Sequence, residues 1–293
     1  MTHGFTSGFV SIIGNPNVGK STFLNRVLET KISITTSKPQ TTRDRILGIF
    51  NAEDTQILFL DTPGIHFSQK ALNRYMLDKA LSTIADADLV LVMTDPHETY
   101  QTLSPVADCV ANAGKEAFLV LNKVDLMHGQ SPDDKLSDLG KTYPYTYVCG
   151  VSSLTGQGIE GLLTRIRTVL PEGPRYFPQD MITDVPVRFL CKELIREKVF
   201  TLTRKEIPYA VAVEIEEFRE QDPVYIRAVI HVERSSQKGI VIGAGGKKLK
   251  EIGTQSRIDI ERLLGMKVYL EIFVRVTRDW SKNPKSLKEL GYT

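Results

Sequence analysis

Two periodicities alternate over roughly the first 170 residues. Apolar, β-branched runs at Gly8–Ile13, Ile46–Phe50, Gln56–Leu60, Leu89–Asp95, Ala117–Leu121 and Tyr145–Val151 are separated by segments with helical spacing of apolar positions, as in Ser21–Leu28. Strands alternating with helices predict a mostly parallel sheet flanked by helices, an α/β domain. Leu170–Pro178 then interrupts the pattern with three prolines in eight positions, which predicts a first domain over 1–172 and a linker over 173–186. The remainder, 187–293, reads differently. Val187–Thr203 is near a helical period, Tyr209–Ile215 and Val224–Val232 alternate as a hairpin, a glycine-rich loop stands between two short helices, and Met266–Val276 reads as a strand. That order is an α+β domain.

Composition fits this picture: 41% hydrophobic and 25% charged residues suit a soluble chain with sizeable cores and argue against disorder. Charge divides unevenly. Residues 1–181 carry 16 Lys and Arg against 19 Asp and Glu, whereas 182–293 carry 21 against 16, so the second half points to an anionic partner. Cys109, Cys149 and Cys191 are odd in number and far apart, which argues against a disulfide framework or zinc site and predicts buried reduced thiols. Met1–Thr6 has neither the basic start nor the apolar run of a signal peptide, and no stretch approaches the ~20 apolar residues that span a bilayer. A cytoplasmic protein is expected.

The chemistry begins at Gly14-Asn15-Pro16-Asn17-Val18-Gly19-Lys20-Ser21, followed by Thr22, between a strand and a helix. Two glycines at this spacing let backbone N–H groups face an anion at a helix N-terminus; Lys20 reaches the β- and γ-phosphates and Ser21 ligates Mg²⁺. The polar stretch Ser37–Arg45 can form a mobile loop in which a threonine senses the γ-phosphate, Thr42 being preferred to Thr41. Asp61-Thr62-Pro63-Gly64, 47 residues after Gly14, puts a carboxylate at a strand tip for Mg²⁺ and the Gly64 N–H near the γ-phosphate. Asn122-Lys123-Val124-Asp125 follows another strand. Asp125 can accept from guanine N1–H and the 2-amino group, which adenine does not offer in that arrangement, so GTP and GDP are favoured over ATP. Ser152-Ser153 follows the next strand, where such a pair can be only a helix cap; in families with this motif set the turn there contacts the base through its backbone.

With these motifs in order, residues 8 to about 170 resemble a translation-factor-related GTPase. Ile65 follows Gly64 where Ras-type GTPases have a water-orienting Gln, so backbone groups, a monovalent cation or a partner must place the water. Asn17 is similar to the loop Asn that binds K⁺ in potassium-activated GTPases, which implies K⁺ beside the phosphates or, equally, an Asn that only shapes the loop.

The glycine-rich stretch of the second domain is Ile242-Gly243-Ala244-Gly245-Gly246-Lys247-Lys248-Leu249-Lys250, and Arg234–Lys250 holds five basic residues and no acid. A hairpin and a helix precede this loop, so it does not open a dinucleotide unit; Gly-x-x-Gly with flanking lysines resembles a type II KH domain, which implies single-stranded RNA. Arg275 is a further expected RNA contact, while Trp280 is either a lid on the core or a base-stacking group.

The joint architecture resembles the bacterial Era family of GTPases. The resemblance implies binding to the 3′ end of 16S ribosomal RNA, a role in 30S assembly and rRNA maturation, peripheral membrane association and a monomer. Two rivals are a lipid- or protein-docking GTPase without an RNA site, and an RNA binder with a dead nucleotide domain. The second is disfavoured by Lys20, Ser21, Asp61 and Asp125.

Overall fold

In a computed structural model the described residues are 4–65 and 71–292; Met1–His3, residues 66–70 and Thr293, and with them the outer ends of both expected domains, lie outside them. The chain divides into two compact units, one from the stretch up to Asp184, the other from Val185 onward together with Ile34–Thr41 and residues 71–75.

The first unit runs β1 (Thr6–Ile13), α1 (Lys20–Val27), β2 (Ile46–Asn51), β3 (Thr55–Asp61), α2 (Ala71–Asp86), β4 (Leu89–Thr94), α3 (Tyr100–Ala113), β5 (Ala117–Leu121), α4 (Pro132–Leu139), β6 (Tyr147–Gly150) and α5 (Ile159–Val169). Its six-stranded sheet has the order β2-β3-β1-β4-β5-β6. Every pairing is parallel except β2 with β3, which three residues join as a hairpin. All residues of β4 and β5 are buried, the reason their sequences read as continuous apolar runs. The C-terminal tips of β1, β3, β4 and β5 consequently share one edge of the sheet, where ligands of such sheets bind. β6 starts two residues later than its apolar run, because the Tyr145 N–H turns back onto the Tyr143 carbonyl.

The proline-rich stretch is no free tether. Ser7 Oγ donates to Pro174 O (2.7 Å), Gln56 Nε2 to Phe177 O (2.9 Å), the Ile49 N–H to Ile182 O (2.8 Å) and Thr183 Oγ1 to Leu47 O (2.6 Å). The segment turns at Pro178–Met181, after which Met181–Thr183 bonds along β2 and covers the sheet's edge.

The second unit contains α6 (Val187–Leu202), β7 (Ala212–Arg219), β8 (Val224–Val232), α7 (Ser235–Ile242), α8 (Lys247–Leu264), β9 (Val268–Val276) and α9 (Pro284–Glu289). β8 is the central strand, antiparallel to β7 and parallel to β9. Residues of α6 and α8 pack with the inward-facing Val213, Ile226, Ala228 and Ile230 in one apolar core. Two expectations need correction. The second helix flanking the glycine loop has 18 residues and is not short. The first hairpin strand begins at Ala212, not Tyr209, because Ile207–Ala210, with Pro208 in its first turn, forms a 3₁₀ turn.

All three cysteines are free; Cys191 is buried, whereas Cys109 and Cys149 are only partly so. Trp280 resolves to a core residue. It is fully buried, donates from Nε1 to Ala210 O (3.0 Å) and stacks on Tyr292 at 5.8 Å, which leaves no face for a base. Trp280→Ala should therefore cost on the order of 3–5 kcal/mol in urea unfolding of the full chain. Emission from this single tryptophan should stay shielded from iodide with or without RNA; iodide-accessible emission would contradict the placement.

Candidate functional site

The loop from Gly14 to Gly19 joins β1 to α1, and Lys20 is the first residue of the helix. Lys20 Nζ donates to the carbonyls of Gly14 (3.1 Å) and Asn15 (2.9 Å), so the chain curls around its own lysine. Burial pulls this ammonium down to about 8, with Asp61 and Glu98 acting in the opposite sense. The buried ammonium is thus short of compensating negative charge, which a phosphate would supply.

Asp61 ends β3. Its Oδ2 accepts from Ser21 Oγ (2.7 Å) and Ser33 Oγ (2.8 Å), and Ser21 Oγ lies 2.8 Å from Thr42 Oγ1. Oδ1 is buried with no hydrogen-bond partner. Burial pushes the carboxyl above its ordinary range, against the two serine bonds and Lys20. A carboxylate short of compensation, beside two hydroxyls, fits a hard divalent cation. Of the two threonines weighed from sequence, Thr42 faces this cluster, whereas the Thr41 hydroxyl turns to Thr36 and the Lys38 carbonyl.

Gly64 tolerates no larger residue: a Cβ there would come within 2.8 Å of the Pro16 backbone. The two loops thus close on one another, and the Ile65 N–H donates to Gly14 O (3.1 Å). The Ile65 side chain is buried in the apolar core with Ile13 and Ala80, away from any water it would need to orient. Thr62 Oγ1 is bonded to Ile12 O (2.8 Å), so Thr62 and the buried Pro63 shape the loop. Val18 is buried, Thr22 half-buried on α1, and the Asn17 side chain exposed.

The residues expected to meet the base converge. Asn122 Nδ2 donates to Val18 O (2.9 Å), while its Oδ1 accepts from the N–H and the hydroxyl of Ser153 (both 2.9 Å). Ser152 Oγ donates to Asp125 Oδ1 (2.6 Å), and Lys123 Nζ reaches Asn17 O (2.6 Å) and Asp95 (2.8 Å).

Sequence reasoning missed several supports. Asn25 accepts through Oδ1 from the N–H groups of Ile32 and Ser33 (both 3.0 Å), which brings Ser33 to Asp61. Arg26 Nε donates to Ser153 O (3.0 Å), and its guanidinium also meets Leu154 O. Asp95 and Glu98 bond to Lys123 and Asn15. None belongs to a spaced motif, and no sequence signal marks them.

In the second unit Gly243, Gly245 and Gly246 have φ of 72°, 57° and 77°, conformations that glycine adopts without strain and that let this loop turn into α8. A Cβ on Gly243 would also press on Lys248 at 2.7 Å. Ala244, Gly245, Lys247 and Lys250 are exposed or half-exposed, Ile242 packs partly into the core, and Lys248 Nζ is engaged by Leu202 O (3.1 Å). Beside the loop lies an open groove of about 500 Å³ bounded by Gly246, Leu249, Lys250, Gly253, Thr254, Arg257, Leu270 and Ile272. Arg275 does not join it. Strand alternation puts it on the face opposite to Leu270 and Ile272, where it pairs with Glu216 (2.8 Å).

Residues 9–123 match the family model described as 50S ribosome-binding GTPase, and residues 206–281 match that of the KH domain. The GTPase Era of Geobacter metallireducens is 51% identical over 293 residues, covering 99% of this chain and 98% of the relative; that of Geotalea daltonii is also 51% identical, with 98% of each covered. The chain belongs to the Era family of GTPases. Among solved structures, a variant of Aquifex aeolicus Era bound to GDP and AlF₄⁻ is 38% identical with a TM-score of 0.94, and 99% of this chain covers 100% of it. Era in complex with MgGDPNP and nucleotides 1506–1542 of 16S ribosomal RNA is also 38% identical with a TM-score of 0.94, 99% of each chain being covered. Membership makes the first unit a GTP-hydrolysing domain and the second an Era-type KH domain.

Because Lys20 must carry its proton to meet a phosphate and its free-state pKa is about 8, GDP affinity should fall as pH rises through that value, by up to about tenfold per unit above it. Calorimetry between about pH 7 and 9.5 should show growing proton uptake; a flat profile would contradict the assignment. Asp61→Asn should cut GTP hydrolysis by at least about 100-fold yet raise the thermal midpoint of nucleotide-free protein, since a buried uncompensated charge is removed while Ser21 and Ser33 keep an acceptor. A lowered midpoint would show that the carboxylate stabilises the fold.

Proposed function

We propose that this protein is a GTP-driven switch in the cytoplasm that grips the single-stranded 3′ end of 16S ribosomal RNA and assists maturation of the 30S subunit as a monomer. One observation carries this reading: the glycine loop with Lys247 and Lys250 opens onto the α8–β9 groove, in a chain that parallels over 99% of its length an Era bound to that RNA segment. Small residues at the loop let backbone approach the ribose-phosphate chain, and the apolar wall of Leu249, Leu270 and Ile272 receives bases.

On the nucleotide side, the loop from Gly14 to Thr22 cradles the phosphates, Lys20 places its charge between the β- and γ-groups, and the Gly64 N–H meets the γ-phosphate. Asp125 accepts from guanine, with Asn122 and Lys123 holding the ring's surroundings and Ser152 and Ser153 closing the far side. Ser21, Thr42 and Asp61 would hold Mg²⁺. When bound, the ion neutralises charge developing between the β- and γ-phosphates. Thr42 leaves the cluster when the γ-phosphate goes, which releases its loop.

No side chain at position 65 can align the attacking water. That role passes to backbone groups and, beside Asn17, to K⁺, so intrinsic turnover is slow, on the order of 10⁻⁴ to 10⁻² s⁻¹. Hydrolysis should be several-fold faster in K⁺ than in Na⁺ at matched ionic strength; equal rates remove the cation from the mechanism.

The double change Gly243→Asp and Gly246→Asp should reduce affinity for a ribosomal 3′-end RNA at least about 100-fold in a filter-binding titration, with GTP turnover unaltered. A loss no larger than that from neutralising two lysines elsewhere would favour docking to anionic lipid.

A further inference from the structure

The connection between β4 and α3 lies outside all the nucleotide motifs, yet it holds the phosphate loop from one side. Asn15 Nδ2 donates to Glu98 Oε2 at 2.8 Å and to Thr102 O at 2.9 Å. The segment that presents these acceptors is itself fixed: Thr99 and Thr102 cap α3 reciprocally, and the Glu98 N–H donates to Asp95 O at 3.1 Å. Asp95 in turn binds Lys123 Nζ, which bonds to Asn17 O. Both asparagines flanking Pro16 are thus held through residues 95–102. Asn15 also supplies one of the two carbonyls that orient Lys20.

A carboxylate is an unexpected choice for this task. Asn15 needs only an acceptor, which a neutral amide would provide, whereas Glu98 brings a negative charge to a loop that must bind a polyanion. Its field reaches Lys20, one of the two acidic influences on that ammonium; Glu98 is half-exposed, but Lys20 is buried, where such a field is poorly screened. We infer that Glu98 is a positioning residue with two separable actions: its hydrogen bond to Asn15 sets the shape of the phosphate loop, and its charge biases the loop against the triphosphate relative to the diphosphate. The second action follows from the extra negative charge of GTP, which lies at the γ-position served by the same loop. The inference rests on the GTPase activity of the family and needs no RNA.

Two variants separate the actions. Glu98→Gln keeps an acceptor for Asn15 and removes the charge; it should tighten binding of a non-hydrolysable GTP analogue by about three- to tenfold while changing GDP affinity by less than about twofold, and the gain should shrink as salt is raised. Glu98→Ala removes both; it should raise KM for GTP relative to Glu98→Gln, with kcat falling as Lys20 loses its aligned carbonyl. Fluorescent-nucleotide titrations and steady-state kinetics on the full chain read these effects, with thermal midpoints checking folding. Equal shifts for GDP and the GTP analogue in Glu98→Gln, or none, would overturn the electrostatic action. Kinetics for Glu98→Ala indistinguishable from those of Glu98→Gln would overturn the positioning action.

Discussion

The nucleotide site depends on one buried carboxylate. Asp61 sits at the tip of an all-buried strand, its pKa raised by desolvation, with two serine hydroxyls on one oxygen and nothing on the other. Such a group is unfavourable until a cation arrives, and its neighbours are arranged around that deficit. Ser21 begins α1 with Lys20, Ser33 is brought in by Asn25, and Thr42 closes through Ser21. Lys20 has the converse problem, a buried ammonium held by carbonyl oxygens. The site therefore holds a buried carboxylate and a buried ammonium that a metal-bound phosphate would satisfy together. Instability of this kind, localised at the ligand, is what lets binding energy be converted into loop closure.

Much of this was legible in the sequence because phosphate, metal and guanine impose short, fixed geometries on contiguous residues. Gly14–Ser21, Asp61–Gly64 and Asn122–Asp125 are each contiguous and regularly spaced, so they stand out in the sequence, and the fold brings them together. The sheet was legible for a related reason: strands buried on both faces must be apolar throughout. What stayed hidden is tertiary. Glu98 reaches Asn15 across 83 residues and Arg26 reaches Ser153 across 127, and neither carries a pattern that distinguishes it from a solvated charge. The proline-rich stretch read as a linker because prolines disfavour central strands, yet an edge-covering segment needs no ladder donors of its own. Arg275, an expected RNA contact, lies on the face of β9 opposite the groove because the strand has a two-residue period. A single tryptophan beside a basic tail carries no sequence mark that separates a core lid from a stacking group; the buried partner of its indole N–H is tertiary.

The two units differ in how they treat anions. The phosphate loop offers a buried lysine, held in place by two loop carbonyls, and a helix N-terminus with its backbone N–H groups. The KH loop offers accessible lysines and an open groove with basic and apolar walls, which suits a flexible strand bound by many weak contacts and makes salt a strong determinant of affinity. A switch that uses one to govern the other must express a free-energy coupling, and reciprocity requires RNA to favour the same nucleotide state that favours RNA.

The decisive measurement is the affinity of the full chain for a short single strand copying the 16S ribosomal RNA 3′ end, and for a scrambled copy, with GDP and with a non-hydrolysable GTP analogue at one salt concentration. Selective binding that strengthens by at least about fivefold with the GTP analogue, a coupling of about 1 kcal/mol, is the expected result. Binding that is weak and indifferent to both sequence and nucleotide would contradict the account and turn attention to lipid or protein partners of the second domain.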